Sequence, residues 1–262
     1  MLVFPQLPSG AEAQYPIKKH CVQRTIVNTL TDGHVVTLAD PGAKISQWQL
    51  TYHNLADAEL VTLQQFFAAC EGQLTAFTFL DPLSNLLTWS ETLNQAPWEA
   101  SSLIQMTAGI ADPLGGTAAT RIANPTATDL TLRQTVNAPG WFTYSLSLYV
   151  SASGSAGVSL FLQAGAASIS NSYAWRTTWA RIQLSSALNT TAESLTAGIV
   201  IPAGSSVTVF GFQLEPQPVP STYKRSFSAG GVNSNAHFGN DAFVCTTSGP
   251  NRHSCNLTVT AH

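Results

Sequence analysis

The sequence predicts a mainly β protein: a small, discontinuous α+β base, one helix on a sheet, interrupted by an inserted jelly-roll β-sandwich. Three observations predict it. Runs of β-branched and aromatic residues recur along the 262-residue chain, separated by Gly, Pro, Asn and Ser. Only one segment, beginning near Asn54, carries the helical period. The pattern of the first part stops at Asp81-Pro82, and sequence of the same kind resumes only in the last forty or so residues. The expected division is 1–84 and 224–262 for the base and 85–223 for the insertion.

In the base, Thr31-Asp32-Gly33-His34 reads as a hairpin turn between Thr25-Ile26-Val27 and Val35-Val36-Thr37-Leu38. Asp40-Pro41-Gly42 reads as a second turn. Trp48, Leu50 and Tyr52 alternate with Gln49 and Thr51, the period of a strand with one buried face. Asn54 is the expected N-cap of the helix, with Asp57 and Glu59 in its first turn, where acidic groups favour the dipole. Leu60, Leu63, Phe67 and Cys70 form its apolar stripe, widened by Phe66, and Gly72 stands where a glycine would end it. Phe77 and Phe79 then alternate with threonine into the Asp81-Pro82 stop.

Strand signals in the insertion fall at residues 120–122, 130–136, 142–150, 158–163, 179–184, 195–201 and 207–214. Residues 151–157 read as a loop. The spacing and count indicate two packed sheets of jelly-roll type. Trp89, Trp98 and Trp179 are expected in its core. Residues 227–232, 237–238, 243–245 and 257–259 then read as strands of a tail too short to fold alone, which needs the N-terminal sheet as partner.

Composition narrows the function. Charged residues are only 10% of the chain, and Ser, Thr, Asn, Gln and Gly take their place. This suits β-rich proteins with hydroxyl- and amide-covered surfaces, and chains that bury surface against other subunits. A net charge of -3 argues against a nucleic-acid partner, and Lys18-Lys19-His20 and Lys224-Arg225 read as solvated surface. No apolar run reaches membrane-spanning length, and the N-terminus lacks a Sec-type pattern, so synthesis in a cytoplasm is expected. Cys21, Cys70, Cys245 and Cys255 lack metal-ligand spacing. Cys245 and Cys255 flank the turn signal Ser248-Gly249-Pro250-Asn251, which would set them face to face; that geometry allows a disulfide, and assembly in a reducing compartment favours free thiols.

Trp48-x-Leu50-x-Tyr52, the helix with Glu59, Leu63 and Phe66-Phe67, Gly72, Phe77-x-Phe79-x-Asp81-Pro82, Phe238-Gly239-Asn240-Asp241 and Gly249-Pro250-Asn251 together resemble the baseplate-hub and distal-tail protein families of tailed phages. That resemblance implies a homo-oligomeric ring, usually a hexamer, on the tail tube. It implies hub and fibre proteins as further partners, and a place in the virion tail tip after assembly in the bacterial cytoplasm. Asn85-Leu86-Leu87-Thr88-Trp89-Ser90, Trp98, Tyr144 to Val150, Trp179-x-Arg181, and Gly211-Phe212-Gln213-Leu214-Glu215 with Pro220-Ser221-Thr222-Tyr223 resemble the carbohydrate-binding-module-like jelly rolls of phage tail and fibre proteins. The expected role is therefore structural. The alternative is an adhesin whose main task is to bind a host-surface glycan.

Sugar recognition needs exposed aromatic faces beside amides or carboxylates. Trp141, Tyr173 and Trp175 are the candidates, weighed against packing in the sandwich or an interface. Glu91, Glu99, Asp112, Asp129, Glu193 and Glu215 are scattered and form no evident acid/base pair for glycoside hydrolysis. Glu215, at a strand end, is expected to bond backbone or a structural cation. No Gly-x-Ser-x-Gly elbow, P-loop or dinucleotide fingerprint is present, and the six histidines lie in the base. No enzyme activity, metal or cofactor is expected.

Overall fold

The computed structural model describes residues 2–8, 10–151, 157–174 and 177–261. The protein is mainly β, with 51% of residues in strands and 5% in helix. It divides into two compact units, one of residues 2–8, 12–79 and 233–261, the other of residues 10–11 and 80–232. No helix among the described residues is long and apolar enough to cross a membrane.

The first unit starts with an antiparallel hairpin, β1 (Lys18–Thr29) and β2 (Val35–Leu55). Its turn closes through Gly33 N–H to the Leu30 carbonyl, 2.9 Å, with Gly33 at φ 84 where glycine has no Cβ to clash. The expected second turn at Asp40-Pro41-Gly42 is absent: β2 runs straight through it. Pairing passes from Val22↔Ile45 to Arg24↔Asp40, so extra residues of β2 bulge opposite Gln23. A bulge accommodates a proline that cannot donate to the ladder. Arg24 and Asp40 pair across it.

Helix α1 (Asp57–Ala69) follows, and its N-cap is Ala56 rather than Asn54. Asn54 instead takes φ 54 near the end of β2, turning the chain before the helix begins. Two carboxylate or amide oxygens replace the missing cap. Glu59 accepts the Ala56 N–H at 2.8 Å, and Asn251, from the other end of the chain, accepts the Asp57 N–H at 2.7 Å. Leu60, Leu63 and Cys70 are buried as the stripe predicts. Phe67, expected in the core, is only partly buried, set between Phe238 (4.8 Å) and Phe243 (5.6 Å) at the core's margin. Strand β3 (Phe77–Leu80) completes this first pass.

The second unit holds β4 (Glu99–Ala100), β5 (Gln105–Ile110), β6 (Ala119–Ala123), β7 (Leu130–Val136), β8 (Thr143–Ser151), β9 (Val158–Ala164), β10 (Ala167–Tyr173), β11 (Ala180–Ala187), β12 (Leu195–Ile201) and β13 (Ser206–Glu215). They form two five-stranded antiparallel sheets, β10-β9-β12-β7-β4 and β11-β8-β13-β6-β5. Leu132, Leu146, Leu148, Leu160, Leu162, Ile199 and Val209 alternate inward and are buried between them. Trp98 packs edge-on against Phe212 at 4.8 Å. Trp89 and Trp179, expected in the core, are only half-buried. Trp89 sits at φ 50 and serves by its backbone, its carbonyl accepting the Trp98 indole N–H at 3.0 Å.

The chain returns to the first unit with β14 (Val232–Phe238), β15 (Cys245–Gly249) and β16 (Arg252–Ala261). The sheet order is β1-β2-β16-β14-β3, with β15 on β16. Residues 227–231, expected as strand, are not strand: the Phe227 and Gly231 carbonyls accept from Trp89 N and Asp81 N. Phe243 and Val244 likewise precede β15. Cys245 and Cys255 are direct cross-strand partners and both are free thiols. Burial pushes the Cys255 thiol up to about 11. Phe4, Trp48, Leu63, Phe77, Phe79, Phe238 and Val259 make the core of this unit.

Among the described residues, one part of that sheet has no third strand. β16 pairs with β2 only over residues 46–55, so residues 22–40 form a two-stranded ribbon. Ile26↔Leu38 lie on one face of it and Val27↔Thr37 on the other. Val22, Ile26, Val27, Leu30, Val35, Val36 and Leu38 are all exposed.

Candidate functional site

The ends of the second unit are laced together at Ser90. Segment 85–92 runs along β13: Leu86 N–H donates to Leu214 O at 2.9 Å, Leu214 N–H to Asn85 Oδ1 at 3.0 Å, and Phe212 N–H to Ser90 O at 3.1 Å. From the other end, Ser226 N–H donates to Ser90 Oγ at 2.9 Å, and Ser90 Oγ lies 2.8 Å from the Tyr223 hydroxyl. Tyr223 rests on Gly211, whose φ of 67 and missing side chain make room: a Cβ there would stand 2.9 Å from the ring.

This lacing delivers Glu91 and Arg225 to one place. The Tyr223 hydroxyl donates to Glu91 Oε1 at 2.9 Å, and Arg225 Nε stands 2.9 Å from Glu91 Oε2. Burial, and with it the Glu91 carboxylate, raises the Tyr223 phenol, which therefore stays neutral and a donor. Glu91 is nearly buried, whereas the Arg225 side chain is 54% exposed. The guanidinium stacks over Phe227, 4.6 Å from the ring centroid, and Phe227 is itself exposed.

Two clefts meet at this pair. One, of about 270 Å³, is walled by Glu91–Asn94, by Met106, Ala108 and Gly109 of β5, and by Thr120 of β6. The other, of about 440 Å³, lies against Phe210 and the loop from Asp112 to Ala118. Glu91, Thr117, Ala118 and Arg225 line both. Asp112 organises its loop by accepting from Leu114 N (2.8 Å), Gly116 N (3.0 Å) and Ala118 N (3.0 Å). The N–H of Ala118 foremost, then those of Gly116, Leu114 and Gly115, hold its carboxyl below the usual value, so it is an anion at neutral pH.

Glu215, buried at the end of β13, finds its cation within the chain. Lys224 Nζ lies 2.8 Å from Oε1, and Ser221 N–H donates to Oε2 at 2.8 Å. Lys224-Arg225, expected as solvated surface, is thus divided between two carboxylates, and Lys224 is mostly covered.

Of the aromatic residues singled out from the sequence, Trp141 and Tyr173 lie apart. Trp141 is 42% exposed, immediately before β8, edge-on to Phe142 at 6.1 Å. Tyr173 ends β10 and is half-buried; its hydroxyl donates to the Gln183 carbonyl and accepts from Asn171 Nδ2 at 2.9 Å. Gln183 pairs with Ser147, well inside β8, whereas Trp141 lies in the turn that precedes that strand. Trp175 lies outside the described residues. Sequence reasoning missed the Glu91–Arg225 pair. The available signal was that its two halves belong to the motifs at either end of the insertion, Trp89-Ser90-Glu91 and Tyr223-Lys224-Arg225.

No family model matches this chain. No curated protein matches it. Among solved structures, it is similar to a family 61 carbohydrate-binding module in complex with β-1,4-galactotriose (15% identity, TM-score 0.39, covering 50% of this chain and 97% of that one). It is similar to the enzymatically active domain of bacteriophage CBA120 tailspike protein 4 (13% identity, TM-score 0.42), covering 52% of this chain and 22% of the tailspike chain. A xylan-binding family 22 module from Paenibacillus barcinonensis is a third (14% identity, TM-score 0.41, covering 53% and 95%).

Proposed function

We propose that this chain is a tail-tip component of a phage or phage-tail-like particle: a self-associating base that carries a jelly-roll module. In this reading copies of the base close into a ring, a hexamer by the resemblance of its motifs, between the tail tube and the hub or fibre proteins. The single observation that carries it is the ribbon of residues 22–40. An isolated two-stranded hairpin is marginal in water, and this one exposes aliphatic side chains on both faces, including Ile26 and Leu38 on one and Val27 and Val35 on the other. Among the described residues, both edges of the ribbon also carry unpaired backbone groups, which invite a further strand. A second copy of the chain supplies the cover, and a head-to-tail contact of that kind closes rings.

The test is light scattering with negative-stain imaging of the purified chain and of Ile26→Asp/Leu38→Asp. Rings or defined oligomers for the parent and monomers for the variant, with unchanged far-UV circular dichroism, are expected. A parent that stays monomeric at high micromolar concentration, or a variant that assembles normally, refutes the reading.

The second reading, an adhesin in which glycan binding is the main task, is favoured by the paired clefts. They gather an arginine, a tyrosine-held carboxylate and threonine side chains in one concave place. Retention on immobilised glycans by monomeric Ile26→Asp/Leu38→Asp is the outcome this reading expects; retention that needs the assembled parent counts against it.

A further inference from the structure

We propose that the two clefts joined at Glu91 and Arg225 form one binding site for a neutral glycan, with the guanidinium reading its hydroxyl oxygens and the Asp112 carboxylate its hydroxyl protons. The inference rests on the glycan reading of the sandwich and assigns its location and ligand class.

The guanidinium is the starting point. Arg225 sets Nε 2.9 Å from Glu91 Oε2 as an ion pair, and among the described residues its two terminal NH₂ groups meet no acceptor. They belong to a half-exposed side chain whose guanidinium carbon lies over the Phe227 ring. A planar fork fixed on one side by a carboxylate and beneath by a ring loses little entropy when it binds, which is the condition for specific recognition. Glu91 is fixed in turn by the Tyr223 hydroxyl, so neither partner of the pair can rotate freely.

Charge selects the ligand class. The ionisable groups lining the clefts are Glu91, Asp112 and Arg225, two anions and one cation. An acidic ligand would bring a third negative charge beside an ionised Asp112, whereas neutral hydroxyls can donate to Asp112 and accept from the arginine. Met106 and Phe210 supply apolar wall for sugar C–H faces. The first cleft, about 270 Å³, lies near the lower end for small-molecule sites, and the second adjoins it, so the site suits a short oligosaccharide better than a large hydrophobic ligand.

A panel of immobilised neutral oligosaccharides (galacto-, xylo-, cello- and N-acetylglucosamine series), with oligogalacturonate and sialyllactose as acidic probes, tests the site on the full chain. The parent is expected to retain at least one neutral series. Arg225→Gln should weaken that retention at least tenfold. Because Arg225→Gln leaves Glu91 unpaired, Ala108→Trp provides an independent steric block at an exposed lining position. It should lose binding with an unchanged melting temperature. Trp141→Ala should bind as the parent does. Full retention by Ala108→Trp, or loss confined to Trp141→Ala, overturns this site while leaving the glycan reading intact. Binding of the acidic probes alone overturns the ligand class. Retention of no probe overturns the glycan reading and the site together.

Discussion

Two single residues decide how distant parts of the chain are held. Asn251 sits in a turn at φ 55 and gives its Oδ1 to the first N–H of helix α1, from 194 residues away. Asn251→Ala removes that bond and leaves an alanine in a left-handed conformation. Urea denaturation should therefore show a loss of about 1–3 kcal/mol. Asn251→Gly keeps the conformation and should lose distinctly less. Glu215 is the second. Burial raises its carboxyl, but bonds from Lys224, Ser221 and Gln213 outweigh burial and bring it below the usual 4.5. A group depressed in this way contributes stability above its unfolded pKa, and that contribution is lost as pH falls through the folded value. Melting of the sandwich should thus drop as pH goes from 5 to 3, and Glu215→Gln, weaker at pH 7, should show the flatter profile. Residue roles of this kind were poorly legible in the sequence. Asn54 looked the better helix cap because capping reads locally, and nothing local reports a partner at position 251. Lys224 and Arg225 looked like surface because adjacency hides that each meets a different carboxylate.

At the scale of elements, the sequence was informative wherever one face is buried and the other is not. Trp48, Leu50 and Tyr52 show a clean period of two, and all three are buried. The helix stripe is legible for the same reason, and it predicts unequal costs. Leu63, fully buried, should lose about 2–5 kcal/mol on truncation to alanine, whereas Val61→Ala on the exposed face should stay within about 0.5 kcal/mol. Chemical denaturation of the two variants decides whether the helix faces the core as described. Strands β5 and β10 escaped notice because both are edge strands, exposed along most of their length. With little buried, Ala167-Ser168-Ile169-Ser170-Asn171-Ser172-Tyr173 carries no strong alternation to read. The ribbon failed in the opposite sense. Its valines, isoleucine and leucines announced strands, but they gave no hint that both faces stay uncovered within the chain.

For the whole molecule, the mainly β architecture was legible because turn residues and strand runs alternate throughout. The place where chemistry gathers was not. Glu91 and Arg225 are 134 positions apart and meet only because segments 85–92 and 221–227 are laced over β13. Of the aromatic candidates for glycan stacking, Trp141 and Tyr173 lie apart on the sandwich, and Trp175 lies outside the described residues. The remaining large-scale feature is the uncovered ribbon, and the proposal that other copies of the chain cover it is the centre of the account. Amide hydrogen exchange over residues 22–40, followed as protein concentration rises, tests it most directly. The account predicts fast exchange when dilute and protection that grows with concentration, while residues 46–55, paired with β16, stay protected throughout. Fast exchange of the ribbon at every concentration, in a sample that nevertheless forms oligomers, would contradict it.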